Sequence, residues 1–231
     1  MVEFPSNGQT TSGYLATPAS GPGPGVMVIQ EYWGLVAHIK DVADRLSREG
    51  FSALAVDLYH GDSTTEPDEA GKKLMALRMA DAGRDMSAAV SWLLSSGRAS
   101  GDAVGTVGFC MGGGLALLLA TLRPEVKACV IYYGVFPSPW TDFQPDLSRI
   151  NGPVLGHFGD SDPYTTVAAA SELEEQIRDA GKEVEFHFYA GCDHAFFNDT
   201  RPEAHNAEAA QLAWDRTLAL FRRQLGPDAR S

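Results

Sequence analysis

The sequence predicts an α/β protein built on a mostly parallel twisted sheet, and two patterns predict it. Short apolar runs rich in Val, Ile, Leu and Phe recur along the chain: "VMVIQ", "SALAVDLY", "AVGTVGF", "KACVIYYG", "PVLGHFG" and "VEFHFYA". Longer stretches of helical period separate them. Continuous apolar strands alternating with helices indicate strands buried on both faces, with helices flanking the sheet on each side.

The elements follow in order. "VEFPSNGQTTSGYLATP" contains two extended stretches around Asn7-Gly8, a dipeptide suited to a type I′ turn, so the chain opens on an antiparallel hairpin. "SGPGPG" breaks it before the first parallel strand at 26–30. Helices are expected at 37–49, 67–96, 112–122, 164–180 and 203–223, and Gly83 is expected to divide the long second segment into two. No repeat, linker or low-complexity tract interrupts the pattern. A chain of 231 residues can bury one core, which predicts a single domain over 1–231.

Composition narrows the function classes. Eighteen basic residues against 30 acidic ones leave a net charge of −12, which argues against a nucleic-acid or anionic-membrane partner. The start "MVEFPSNGQT" has no basic, then apolar, signal pattern, and no run is long enough to span a bilayer. Three cysteines, Cys110, Cys129 and Cys192, without CxxC spacing suit a reducing compartment. A cytoplasmic protein is therefore expected.

In an open parallel sheet ligands bind beyond the carboxyl ends of the strands, so chemistry is sought in the loops there. One loop carries Gly108-Phe109-Cys110-Met111-Gly112-Gly113 between an expected strand (104–109) and helix (112–122). This is the context of a nucleophile elbow. A strand turning sharply into a helix strains its apical residue, and the residues two before and two after it must lack side chains. Cys110 would then project at a helix start, where backbone N–H groups and the dipole favour a thiolate. No other Gly-x-[Ser/Thr/Cys]-x-Gly occurs among 24 glycines. The competing readings are a buried structural cysteine and a phosphate loop, but the lysine of GxxxxGK[ST] is missing.

An elbow nucleophile needs a base, and the base an orienting carboxylate, in the chain order acid then histidine. The loop after "PVLGHFG" offers Asp160 and Asp162, and the loop after "VEFHFYA" offers His194. Asp162 is preferred because it lies deeper in its loop, ahead of Pro163, while Asp160 and Asp193 read as turn residues. Of the other histidines only His60 also follows a strand, and it precedes Cys110. A zinc site at Cys192-Asp193-His194 lacks the remaining ligands, so no metal is expected. A thiol redox sensor would need a resolving cysteine, for which Cys192 is the one available candidate. A non-catalytic binder on the same scaffold is the third reading.

From "VMVIQEYWG" to the final helix the chain resembles the dienelactone hydrolase (carboxymethylenebutenolidase-like) family of α/β-hydrolases. "QEYWGL", "AVDLYHG", "VGFCMGGGLAL", "IYYGV", "FGDSDP" and "GCDHAF" occur in family order. The resemblance implies an α/β-hydrolase fold, a Cys110-His194-Asp162 triad and attack by sulfur on a small-molecule ester or lactone, with no cofactor. It implies that Glu31 contacts the resting thiol and accepts its proton, and that the backbone N–H groups of Tyr32 and Met111 form the oxyanion hole. A monomer or weak homo-oligomer is expected. Family members acting on dienelactone hold its carboxylate with two arginines, but here Asn198 and a position near Asp68 stand in their places. An anionic dienelactone is thus disfavoured, and Arg201, Arg78 or Arg84 would have to substitute. Tyr32, Trp33, Tyr133, Phe136 and Phe197 could line an apolar pocket or belong to the core.

Overall fold

The computed structural model describes residues 1–136 and 145–226. Strands β1 (Val2–Ser6) and β2 (Gln9–Ala16) form the expected hairpin, with Asn7 and Gly8 both at positive φ in its turn. There follow β3 (Pro24–Ile29), α1 (Ala37–Arg48), β4 (Ser52–Val56), α2 (Pro67–Ala76), α3 (Met79–Ser95), β5 (Ser100–Phe109) and α4 (Met111–Leu122). After them come β6 (Val126–Tyr132), a short 3₁₀ turn at Leu147–Arg149, β7 (Val154–Gly159), α5 (Val167–Asp179), β8 (Val184–Tyr189) and α6 (Ala207–Leu225).

The eight strands make one mixed sheet in the order β1-β2-β4-β3-β5-β6-β7-β8. The hairpin and its pairing to β4 are antiparallel, and every pairing from β4 through β3 to β8 is parallel. Alternation along each strand then builds two cores. Met27 and Ile29 of β3 pack toward α3, α4 and α5, while Val26 and Val28 face α1 and α6. Helix α4 has apolar or glycine residues nearly all round and is buried along almost its whole length, as its central position against the sheet requires.

Two helices occupy the 67–96 segment, but the break differs from expectation. It lies at Leu77 and Arg78, both extended (ψ 118° and 121°), while Gly83 sits inside α3. A Cβ there would come within 2.9 Å of Leu122 Cδ1, so this glycine permits close contact of α3 with α4 and leaves the helix unbroken. Helix α5 also begins three residues later than expected, because Thr166 caps it by accepting from Ala169 N–H at 3.3 Å.

One buried polar group is costly. His38 of α1 is 2 % exposed among Phe109 and Phe197, and neither ring nitrogen has a hydrogen-bond partner; Asp199 stands 3.9 Å away. Burial, only partly offset by Asp199, lowers its pKa to about 4. Between about pH 6.5 and 4 the unfolded chain therefore binds a proton that the folded one does not. Stability falls as pH drops through that window, by up to about 3 kcal/mol, and the loss is complete below it. His38→Leu is expected to flatten this dependence, measured as urea unfolding free energy at pH 7 and pH 4.5. Parallel pH profiles for variant and parent would refute the assignment.

Candidate active site

Cys110 is the hinge between β5 and α4, with φ 55° and ψ −123°, a backbone conformation that non-glycine residues rarely adopt. Its surroundings explain the glycines. A Cβ on Gly108 would overlap the Gly112 carbonyl, and one on Gly112 would stand 2.5 Å from the carbonyl oxygens of Ile29 and Gln30. Gly134, two residues past β6, plays the same part from outside the motif, because a Cβ there would overlap the carbonyl oxygen of Cys110. The elbow is thus clamped between the ends of β3 and β6.

The acid and base candidates meet. His194 Nδ1 lies 2.7 Å from Asp162 Oδ2, and Asp162 Oδ1 accepts from the backbone N–H groups of Tyr164 (2.7 Å) and Thr165 (2.9 Å). The Asp162 side chain is fully buried and that of His194 is 13 % exposed. Burial disfavours the imidazolium, but the hydrogen bonds and charges of Asp162 and Cys110 outweigh it and push the His194 pKa up to about 10. Asp193 accepts from the His194 backbone N–H at 2.6 Å, and Asp160 accepts from Gly191 N–H at 2.7 Å. Both are turn residues, and the second joins the β7 and β8 loops.

Glu31, just past β3, is 2 % exposed. Burial raises its pKa against the opposing charges of His194 and Arg201 and the hydrogen bond from Asn198. Asn198 Nδ2 donates to Glu31 Oε2 at 3.2 Å, and Asn198 Oδ1 accepts from Thr200 N–H at 3.0 Å. Asn198 therefore orients Glu31 rather than standing as a vacant arginine position. Sequence reasoning missed this role and that of Gly134, since both depend on contacts between distant segments.

Met111 is the first residue of α4, so its N–H has no acceptor within the helix. Tyr59 lies alongside, its hydroxyl 3.5 Å from Met111 Sδ. Tyr32 follows Glu31, and its ring meets that of Trp33 at a tilt of 56° with centroids 4.3 Å apart. Burial and the Cys110 charge raise its pKa, and the Arg201 charge opposes them. Arg201 thus reaches the site electrostatically while its Nε bonds Glu203 at 3.1 Å. Arg78 and Arg84 instead pair with Asp81 on α3. Phe197 belongs to the core, packed on Phe109, Tyr132 and Trp214, and Tyr133 is fully buried against His194 with centroids 5.1 Å apart.

The remaining candidates lie apart from this cluster. His60 faces Asp85 at 3.3 Å, and Asp85 also accepts from Asn7 and Thr11, so that group ties the hairpin to α3. Cys129 is buried in β6, where burial pushes its thiol up, and Cys192 is buried in the β8 loop. Among the described residues no group of three or more His, Cys, Asp or Glu could hold a metal ion, and no helix is long and apolar enough to cross a membrane.

A parallel sheet with an antiparallel hairpin, a strained strand-to-helix elbow after β5, and an acid and a histidine on the loops after β7 and β8 define an α/β-hydrolase. The sequence model of the dienelactone hydrolase family matches residues 11–225. "Protein usf" of Aquifex pyrophilus is 34 % identical over 97 % of this chain and 98 % of its own length. A Bradyrhizobium protein named "probable 2-oxo-3-(5-oxofuran-2-ylidene)propanoate lactonase" is 32 % identical over 96 % and 92 %. The crystal structure of a Klebsiella pneumoniae protein named "putative dienelactone hydrolase" superposes with a TM-score of 0.88 at 30 % identity, covering 96 % of this chain and 97 % of that one. The chain belongs to the dienelactone hydrolase family, and it is a hydrolase.

Proposed function

We propose that the protein cleaves a small carboxylic ester or lactone through an acyl-cysteine intermediate, with Cys110, His194 and Asp162 as a triad. One observation carries the reading: Cys110 is held in a strained backbone conformation at the head of α4, and it shares the site with a histidine whose far nitrogen is pinned 2.7 Å from a buried carboxylate. Strain of this kind persists only where the surroundings impose it, and here it presents sulfur to the ends of the strands.

The chemistry follows from these groups. Cys110 Sγ attacks the carbonyl carbon and a C–S bond forms. Negative charge gathers on the carbonyl oxygen, toward which the N–H groups of Met111 and Tyr32 would point. His194, whose imidazolium is favoured by Asp162 and Cys110, gives its proton to the departing alcohol oxygen as the C–O bond breaks. Acylation removes the sulfur's charge, which had favoured the imidazolium, so His194 stays neutral after giving up its proton and is free to take one from the incoming water. Water adds and gives a proton to His194, the C–S bond breaks, the acid departs, and the sulfur recovers from Glu31 the proton it gave up when substrate entered. Glu31, with a carboxyl made more basic by burial, accepts a proton from the resting thiol when substrate enters. The reading takes residues 1–231 as one catalytic unit, a monomer or weak homo-oligomer acting in the cytoplasm without a cofactor.

The test is a rapid-quench mass measurement with p-nitrophenyl acetate. An acetyl adduct that appears within the first turnover, maps to the peptide bearing Cys110 and disappears as substrate is exhausted is the expected result. Turnover with no adduct, or an adduct on another residue, would overturn the mechanism.

A further inference from the structure

Tyr164 has 80 % of its surface exposed, more than any other large hydrophobic side chain among the described residues. Its loop position is nonetheless fixed. Pro163 precedes it, and its own N–H donates to Asp162 Oδ1 at 2.7 Å. The ring stands edge-on to His194, with centroids 5.3 Å apart and planes at 73°. The exposed face of the ring therefore stands beside the histidine, open to a group brought up to the imidazole. Tyr32 lies within electrostatic range of both Cys110 and the Tyr164 hydroxyl, and its ring contacts that of Trp33 with centroids 4.3 Å apart.

The order of the proposed reaction says which half of the substrate meets Tyr164. His194 protonates the departing oxygen, so the group attached to that oxygen lies beside the imidazole, whereas the acyl half stays on sulfur. We propose that Tyr164 forms one wall of a leaving-group subsite selecting esters of aromatic alcohols. A flat ring carried on the alcohol side buries itself against the tyrosine face, and such ring pairs favour offset or edge-to-face contact beyond simple area burial. The selectivity rests on the ester-hydrolase reading above.

Three esters separate the possibilities: benzyl acetate, with the ring on the alcohol; methyl benzoate, with the ring on the acyl group; and ethyl acetate, with none. Wild-type-to-variant ratios within each ester cancel its intrinsic reactivity. Tyr164→Ala is expected to lower kcat/KM for benzyl acetate about tenfold, mainly through KM, and to change the other two less than about twofold. Tyr164→Phe is expected to keep wild-type values, and benzyl alcohol is expected to inhibit wild type competitively and the alanine variant more weakly. Equal losses on all three esters, or no loss on benzyl acetate, would overturn the subsite while leaving the hydrolase reading intact. Failure of the wild type to turn over any of the three would overturn both.

Discussion

Cys110→Gly is expected to abolish turnover and, at the same time, to stabilise the fold. Loss of a covalent nucleophile from a coupled set costs about 10⁶-fold in kcat by analogy with serine hydrolases, leaving only the residual catalysis of binding and oxyanion contacts. The stability gain has a different origin. A side chain at φ 55° and ψ −123° is strained by about 1–3 kcal/mol, whereas glycine occupies that region freely. Part of the gain is returned through the greater freedom of the unfolded glycine, so a net rise of about 1 kcal/mol is expected. Cys110→Ala provides the control, because it removes sulfur but keeps the Cβ, and should be equally inactive without the gain. Paired urea denaturations of the three proteins check the point. A glycine variant no more stable than the alanine one would show that the elbow holds no strain.

Gly108→Ala is expected to prevent folding or to destabilise the protein by more than about 4 kcal/mol. The added methyl would overlap the Gly112 carbonyl, which is backbone at the start of a helix buried on every side. Helix α4 has no direction in which to retreat: Gly112 already abuts β3, and Gly113 abuts Ile131 of β6 and Gly134. Overpacking into flexible side chains costs less than this, because a rotamer change can absorb it. The measurement is soluble yield and thermal midpoint beside Gly71→Ala on α2, where a Cβ meets nothing within 4 Å and the backbone is helical. A Gly108 variant that folded with the midpoint of that control would refute the clamp.

The parallel sheet was legible because its strands are buried on both faces and so read as unbroken apolar runs. The elbow was legible because its constraint is local: Gly108 and Gly112 are within four residues of each other, and the clash they avoid is written in their spacing. The sequence favours Asp162 over Asp160 for its place deeper in the loop ahead of Pro163; that its carboxylate accepts the N–H groups two and three residues on is visible only in the structure. Gly134 and Asn198 were not legible in this way. Their reasons lie in Cys110 and Glu31, 24 and 167 positions away in the chain. Gly83 misled for the opposite reason, since a helix glycine reads as a break unless the neighbouring helix it admits is known.

The Asp160 bond to Gly191 joins the loops after β7 and β8, and a Cβ on Gly159 would overlap the Cys192 carbonyl, so the two loops are packed backbone to backbone. Asp162 and His194 are thereby spaced by the pitch of two neighbouring strands, a distance that surface mutation cannot alter. The Tyr164 side chain projects outside that frame, although its backbone is tied to Asp162. A side chain at such a position can be exchanged without disturbing the spacing of the two loops, so the surroundings of the histidine can diverge while its carboxylate partner stays in register.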